Sequence, residues 1–107
     1  MSGFDKREDG FEKKFAHDEA LRFKAEARRD KKLGLWAAEK LGKTGAEAEA
    51  YAGSVIAADM EKAGDADVFA KIRRDFDAAG VTQSDHQIRR TMDEMLAAAM
   101  AEVAKTG

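Results

Sequence analysis

The chain has 107 residues, which allows one domain with a modest core and not two. It is 44% apolar and 37% charged with no proline, the profile of a soluble helical protein rich in Ala and Glu, and its 19 basic and 21 acidic side chains nearly cancel. The absence of cysteine excludes disulfides and thiol chemistry.

The first seven residues, Met1 to Arg7, lack the apolar run of a signal peptide. No window approaches the ~18 apolar residues of a membrane span. The expected setting is therefore the cytoplasm or a cytoplasmic face. Charge is uneven along the chain: residues 1–32 carry ten Lys/Arg and eight Asp/Glu, a balance of +2, so the remainder is acidic.

In chain order, the first feature is an aromatic stripe. Phe4, Phe11 and Phe15 fall within about 40° of one another at 100° per residue, and the residues between them are almost all charged. Burying three Phe contributes about 1.5–3 kcal/mol each. Ordering some twelve residues costs roughly 1–2 kcal/mol each, Gly10 adds up to about 1 kcal/mol against helix, and isolated helices this short are marginal in water. The expectation is a mobile segment, residues 1–15, that becomes helical on a partner.

A four-helix bundle is expected over residues 16–107. Glycines at 42, 64 and 80 sit where periodic patterns stop. Thr44-Gly45-Ala46-Glu47 and Ser84-Asp85-His86-Gln87 match the capping box, and Asp65 is a good N-cap. These signals predict helices near 16–41, 45–63, 66–79 and 85–105, and short connections make successive helices antiparallel neighbours. In the first helix, Leu33, Leu35, Trp36, Ala37 and Leu41 make a wide apolar arc, preceded by a thin seam of Ala20, Phe23 and Ala27. That seam lies roughly 110–120° from the aromatic stripe on a continuous wheel, so the stripe is not expected to extend the bundle. The later faces are Ala48, Tyr51, Ala52 and Val55 beside Ile56 and Met60; then Val68, Phe69, Ile72, Phe76 and Ala79; then Ile88, Met92, Met95, Leu96, Ala99 and Val103.

Chemistry-bearing motifs are few. Gly42-Lys43-Thr44 matches the tail of a phosphate-binding loop, but the first glycine of that motif falls on Ala37 and the loop follows a helix instead of a strand. A glycine C-cap followed by a threonine N-cap accounts for all three residues. His17 and His86 have no metal-ligand spacing. Asp18, Glu19, Asp93 and Glu94 are sequence neighbours that point apart on a helix. No metal site and no catalytic residue is predicted. The block Arg28-Arg29-Asp30-Lys31-Lys32 could meet phosphates or an acidic protein surface, or be a solvated face laced by Asp18–Arg22, Arg22–Glu26 and Glu26–Arg29 pairs, and the second reading is preferred. Nucleic acid is the weakest partner, because interleaved acids cancel the field. Trp36 reads as a core anchor before a base-stacking residue.

Two stretches carry a family resemblance: Phe4-Asp5-x-Arg7-Glu8-x-x-Phe11-Glu12-x-Lys14-Phe15-Ala16, and Ala27-Arg28-Arg29-x-Lys31-x-Leu33-Gly34-Leu35-Trp36-Ala37-Ala38-Glu39. Together with Gly42 to Gly45, Gly64-Asp65, the Val68–Phe76 helix and Ser84 to Arg89, they resemble the zeta subunit of the alphaproteobacterial F-type ATP synthase over essentially the whole chain. The resemblance implies an all-α four-helix protein, not an enzyme, that inhibits ATP hydrolysis by the F1 sector. Its mobile N-terminal segment would insert at a catalytic alpha/beta interface and fold into a helix, with Phe4, Arg7, Glu8, Phe11, Lys14 and Phe15 as the contacts. The partners implied are the F1 alpha, beta and gamma subunits, at the cytoplasmic face of the inner membrane, with the free protein a monomer. The family is also associated with ADP or ATP as a regulatory ligand, for which Arg28, Arg29, Lys32 and Trp36 are the candidates on chemical grounds. The alternatives are an adenine-nucleotide sensor and a generic helical interaction module.

Overall fold

Four α-helices follow one another: α1 (Ser2–Lys40), α2 (Gly45–Glu61), α3 (Asp65–Ala79) and α4 (Asp85–Thr106). The computed structural model describes the backbone of residues 2–61 and 65–106 and the side chains of residues 19–60 and 65–105, and no strand occurs among the described residues. The all-α class and the helix count match the sequence expectation. Gly64, expected to close the second helix, lies outside the described residues.

Helix ends follow their local chemistry. Gly42 and Gly80 take φ of 77° and 74°, open to glycine at no steric cost. Each ends its helix with a pair of reversed bonds, Lys43 N–H to the Ala38 carbonyl (2.8 Å) and Val81 N–H to the Phe76 carbonyl (2.9 Å) being the longer-range members. At the start of α4 the capping box is formed in both directions: Gln87 N–H donates to Ser84 Oγ (3.1 Å) and Ser84 N–H to Gln87 Oε1 (3.0 Å). At the start of α2, Thr44 instead offers its backbone carbonyl to the N–H groups of Glu47 and Ala48, because Gly45 at φ 56° turns the chain between them. Arg73 fastens the α3–α4 loop by donating from Nη1 to the Gln83 carbonyl (2.7 Å) and to Asp85 (3.0 Å).

α1 is the spine, with α2 and α4 packed along it and α3 crossing to join them. The main core draws on all four helices: Leu33, Ala37 and Ala38, Tyr51 and Val55, Val68, Ile72 and Phe76, Ile88 and Met92. Trp36 packs against it, its ring 5.7 Å from that of Phe76. A second, thinner cluster joins only α1 and α4, through Ala25, Ala99 and Val103 with Leu21 and Leu96 at its edge. At the α1–α2 contact Gly34 brings the two backbones together: a Cβ built on it would lie 2.6 Å from Ala52 Cα.

Two boundaries differ from expectation. The buried seam in the first half of α1 is Ala25 and Arg29 with Leu21 half-buried beside them, not Ala20, Phe23 and Ala27; Ala20 is exposed, Phe23 is 62% exposed and Ala27 is half-buried. The pattern search followed apolar residues, and the true seam contains an arginine that the fold buries. Met60 and Ala79, placed on core faces, are also exposed, because each sits in the last turn of its helix.

The other difference is where α1 begins, at Ser2 and not near residue 16. Helix nucleation is the costly step, whereas adding residues to a helix that already exists adds one bond per residue fixed. The segment of residues 2–15 is therefore attached to a formed helix and avoids the penalty of an isolated one. The side chains of Phe4, Arg7, Glu8, Phe11, Lys14 and Phe15 lie outside the described residues.

Candidate functional site

The 39 residues of α1 span about 58 Å and the 22 of α4 about 33 Å, so α1 outruns its longest partner by about 25 Å. Among the described residues, the most N-terminal packing of α1 is Leu21 against the end of α4, where Met100, Val103 and Ala104 form an apolar notch of about 210 Å³ with it. The stripe positions Phe4, Phe11 and Phe15 precede this point. On the helical wheel they lie roughly 60° on average from the seam of Leu21, Ala25 and Arg29 farther along α1, a smaller offset than the roughly 110–120° reckoned from Ala20, Phe23 and Ala27. Beside that seam Arg22 and Glu26 form an exposed ion pair at 3.1 Å.

The basic block divides among three surroundings. Arg28 (3.6 Å) and Lys32 both pair with Glu102 of α4 and are partly exposed. Lys31 is exposed. Arg29 is 1% exposed and turned inward: Nε donates to Asp30 Oδ1 at 2.8 Å. Its Nη2 lies 3.0 Å from Asp65 Oδ1, out of line for a hydrogen bond, and 3.9 Å from Asp59 Oδ2. The expected Glu26–Arg29 pair gives way to this cluster.

Asp30 is also 1% exposed. Burial pushes its carboxyl up to about 8, helped by a hydrogen bond with Asp59 and opposed by the Arg29 charge. Burial pulls Arg29 down, but the acids around it outweigh this and hold the guanidinium above its ordinary value. Sequence reading missed this cluster. Its signal was available: Asp59 stands four residues after Val55 and seven after Ala52, inside the apolar stripe of α2.

Trp36 is half-buried. It borders a cleft of about 420 Å³ with Lys40 of α1, Gln83, and Gln87, Arg90, Thr91 and Glu94 of α4. None of the clefts among the described residues brings Arg28, Arg29, Lys32 and Trp36 together. An α-helix turns 100° per residue, which sends Arg28 and Lys32 toward Glu102 of α4 and Arg29 toward Asp59 of α2 and Asp65 of α3.

Lys43, from the Gly42-Lys43-Thr44 run, borders a different cleft of about 460 Å³ with Leu41, Tyr51, Lys71, Asp75, Ala78 and Ala79. The Tyr51 hydroxyl donates to Asp75 Oδ2 at 2.8 Å, and Lys71 reaches the same oxygen at 3.0 Å while lying 5.0 Å from the Tyr51 ring centre. Burial, followed by the neighbouring Asp75, raises the Tyr51 phenol well above its ordinary value. No phosphate loop is built here: a helix cap, not a strand, precedes Lys43. Among the described residues there is no group of acidic or histidine side chains suited to a metal ion, and no helix is long and apolar enough to cross a membrane. His86 is exposed, and His17 lies outside the described side chains.

Comparison with known proteins agrees with this architecture. A solved solution NMR structure superposes with a TM-score of 0.69 at 42% sequence identity, covering 81% of this chain and 99% of its own. No curated protein shows significant similarity. Residues 1–102 match the family described as ATPase inhibitor subunit zeta. With essentially its whole length in that match, aromatic stripe and basic block included, the chain belongs to the ATPase inhibitor subunit zeta family.

Proposed function

We propose that this protein is a non-catalytic regulator that inhibits ATP hydrolysis by the F1 sector of ATP synthase. The N-terminal part of α1 acts as the inhibitory element, engaging a catalytic alpha/beta interface as a helix and blocking rotation of gamma. The observation that carries the reading is the overhang of α1: an aromatic-striped helix runs past the end of its own bundle in a chain of this family. Phe4, Phe11 and Phe15 supply anchors at helical spacing for a groove, and Arg7, Glu8 and Lys14 supply flanking charge. The bundle of residues 16–107 then serves as the body that holds this element, a monomer when free and bound to F1 at the cytoplasmic face of the membrane when active.

The test is ATP hydrolysis by isolated F1 with the intact chain and with residues 2–15 deleted. The intact chain is expected to suppress hydrolysis, and the truncated one to lose at least 90% of that suppression while keeping the helical circular dichroism of residues 16–107. Equal inhibition by both forms rejects the mechanism.

A second reading, an adenine nucleotide as regulatory ligand, is favoured by one observation. Trp36 offers an aromatic wall in a cleft that also presents Lys40 and Arg90, the pairing that stacks a base and meets phosphate charge. ATP titration is expected to shift the Trp36 indole and the amides of Lys40, Gln87 and Arg90 saturably. Shifts confined to Arg28 and Lys32 would relocate the ligand to the basic block, and no saturable shift would discard it.

A further inference from the structure

The most unusual feature of the bundle is the group of charges buried where the end of α2 and the start of α3 meet α1. One guanidinium, Arg29, faces three carboxyl groups from three helices: Asp30 of α1, Asp59 of α2 and Asp65 of α3. Arg29 and Asp30 are each 1% exposed, the Asp59 side chain 16%, and that of Asp65 51%, so only Asp65 is well hydrated. Glu102 of α4 is held by Arg28 and Lys32 instead. Asp30 and Asp59 both approach the same guanidinium, so one cation serves three carboxyl groups, two of them shielded from water, and such a site favours keeping a proton on one of the acids.

We propose that Asp30 and Asp59 share a single proton in a buried acid pair that locks the α2–α3 corner against α1, and that removing this proton by raising the pH releases the corner. With the proton in place the group carries one positive and two negative charges. Its loss to solvent base breaks only the O–H bond and leaves a single guanidinium facing three anions, two of them shielded from water. Repulsion between Asp30 and Asp59 then acts across the α1–α2 contact, at the end of α2 where the chain turns toward α3. A buried carboxyl pair that cannot ionise both members behaves in this way. The proposal concerns the bundle and does not depend on what the N-terminal stripe binds.

The test uses the full chain. The side-chain carboxyl carbons of its aspartates are followed by NMR from pH 4 to 9, together with amide hydrogen exchange. Asp30 is expected to titrate with a midpoint near 8, far from an ordinary aspartate at about 3.9. Protection factors, corrected for the intrinsic base-catalysed rate, should fall at least tenfold for residues 55–61 and 65–68 between pH 7 and 9. Those near Ile88 and Met92 should stay unchanged. In Asp30→Asn, whose amide donates to Asp59 at every pH, the protection factors should be flat over this interval. Asp30 titrating with the ordinary aspartates overturns the proposal, a result that needs no variant. A pH-dependent fall in Asp30→Asn equal to that of the unmodified chain overturns it as well.

Discussion

Replacing Arg29 by methionine is expected to destabilise the bundle by about 3–5 kcal/mol, the cost of removing one partner from a buried ionic group. For a domain of this size, whose whole stability is about 5–15 kcal/mol, such a loss lowers the melting temperature by roughly 15–25 °C. The reason is asymmetry. Methionine restores much of the packing volume, but Asp59 and Asp65 lose the one cation among the described residues that contacts both. The size of the effect depends on pH, and its sign follows from the carboxyl groups. In the folded protein Asp30 sits near 8, against about 3.9 for an unfolded aspartate. The folded state therefore holds more protons between these values, and stability falls as pH rises from about 4 to 8. Without Arg29 the folded Asp30 keeps its proton to still higher pH, so variant and parent lose stability in parallel up to about 8 and the gap between them widens above it. Thermal melts at pH 6 and pH 10 check this: a gap that is constant or narrows toward pH 10 contradicts the assignment of Arg29 as the counter-charge.

Gly34→Leu is expected to destabilise by about 3 kcal/mol, through overpacking and not through backbone conformation. A Cβ at this position meets the Ala52 Cα at 2.6 Å and its Cβ at 3.0 Å, so α1 and α2 must separate. Backbone atoms cannot swing aside as a long side chain does. Even Gly34→Ala, which gains about 1 kcal/mol of helix propensity, should be net destabilising. Combining it with Ala52→Gly should restore only part of the loss, because that change removes the contact with Cβ and leaves the one with Cα. Gly53 is the internal control. It is also within a helix, yet nothing lies within 4 Å of its would-be Cβ, so Gly53→Ala should stabilise by about 1 kcal/mol. Denaturant unfolding of the three single variants separates the two roles. If Gly34→Ala and Gly53→Ala both stabilise, the close helix approach is not what glycine at 34 serves.

The sign of the Gly34 effect rests on the third dimension, and the same division runs through the molecule. The apolar residues of α3 and α4 pointed to the core directly: Val68, Ile72 and Phe76, then Ile88, Met92, Ala99 and Val103, are all buried. They lie on helices with one neighbour-facing side, where the apolar stripe and the buried stripe coincide. α1 is different because α2 and α4 flank it and α3 crosses between them, so more than one of its faces is covered. Its pattern is then a sum of faces, and a search for a single stripe selected Phe23, which is exposed, over Arg29, which is not. Trp36 was correctly taken as packing against the core, since its ring meets Phe76, but the cleft it borders takes Lys40 from its own helix and Arg90 from α4.

The aromatic spacing at positions 4, 11 and 15, the helix ends at Gly42 and Gly80, the capping box at Ser84 and the family resemblance were all contained in the amino-acid order, because each is set within a few residues or matched position by position. Tertiary structure alone decided that α1 overruns its partners, that Arg28 and Arg29 part company, and that Asp30, Asp59 and Asp65 gather around one guanidinium. A helix rotates 100° per residue, so neighbours in sequence meet different partners, and which charges become buried depends on where distant helices stop.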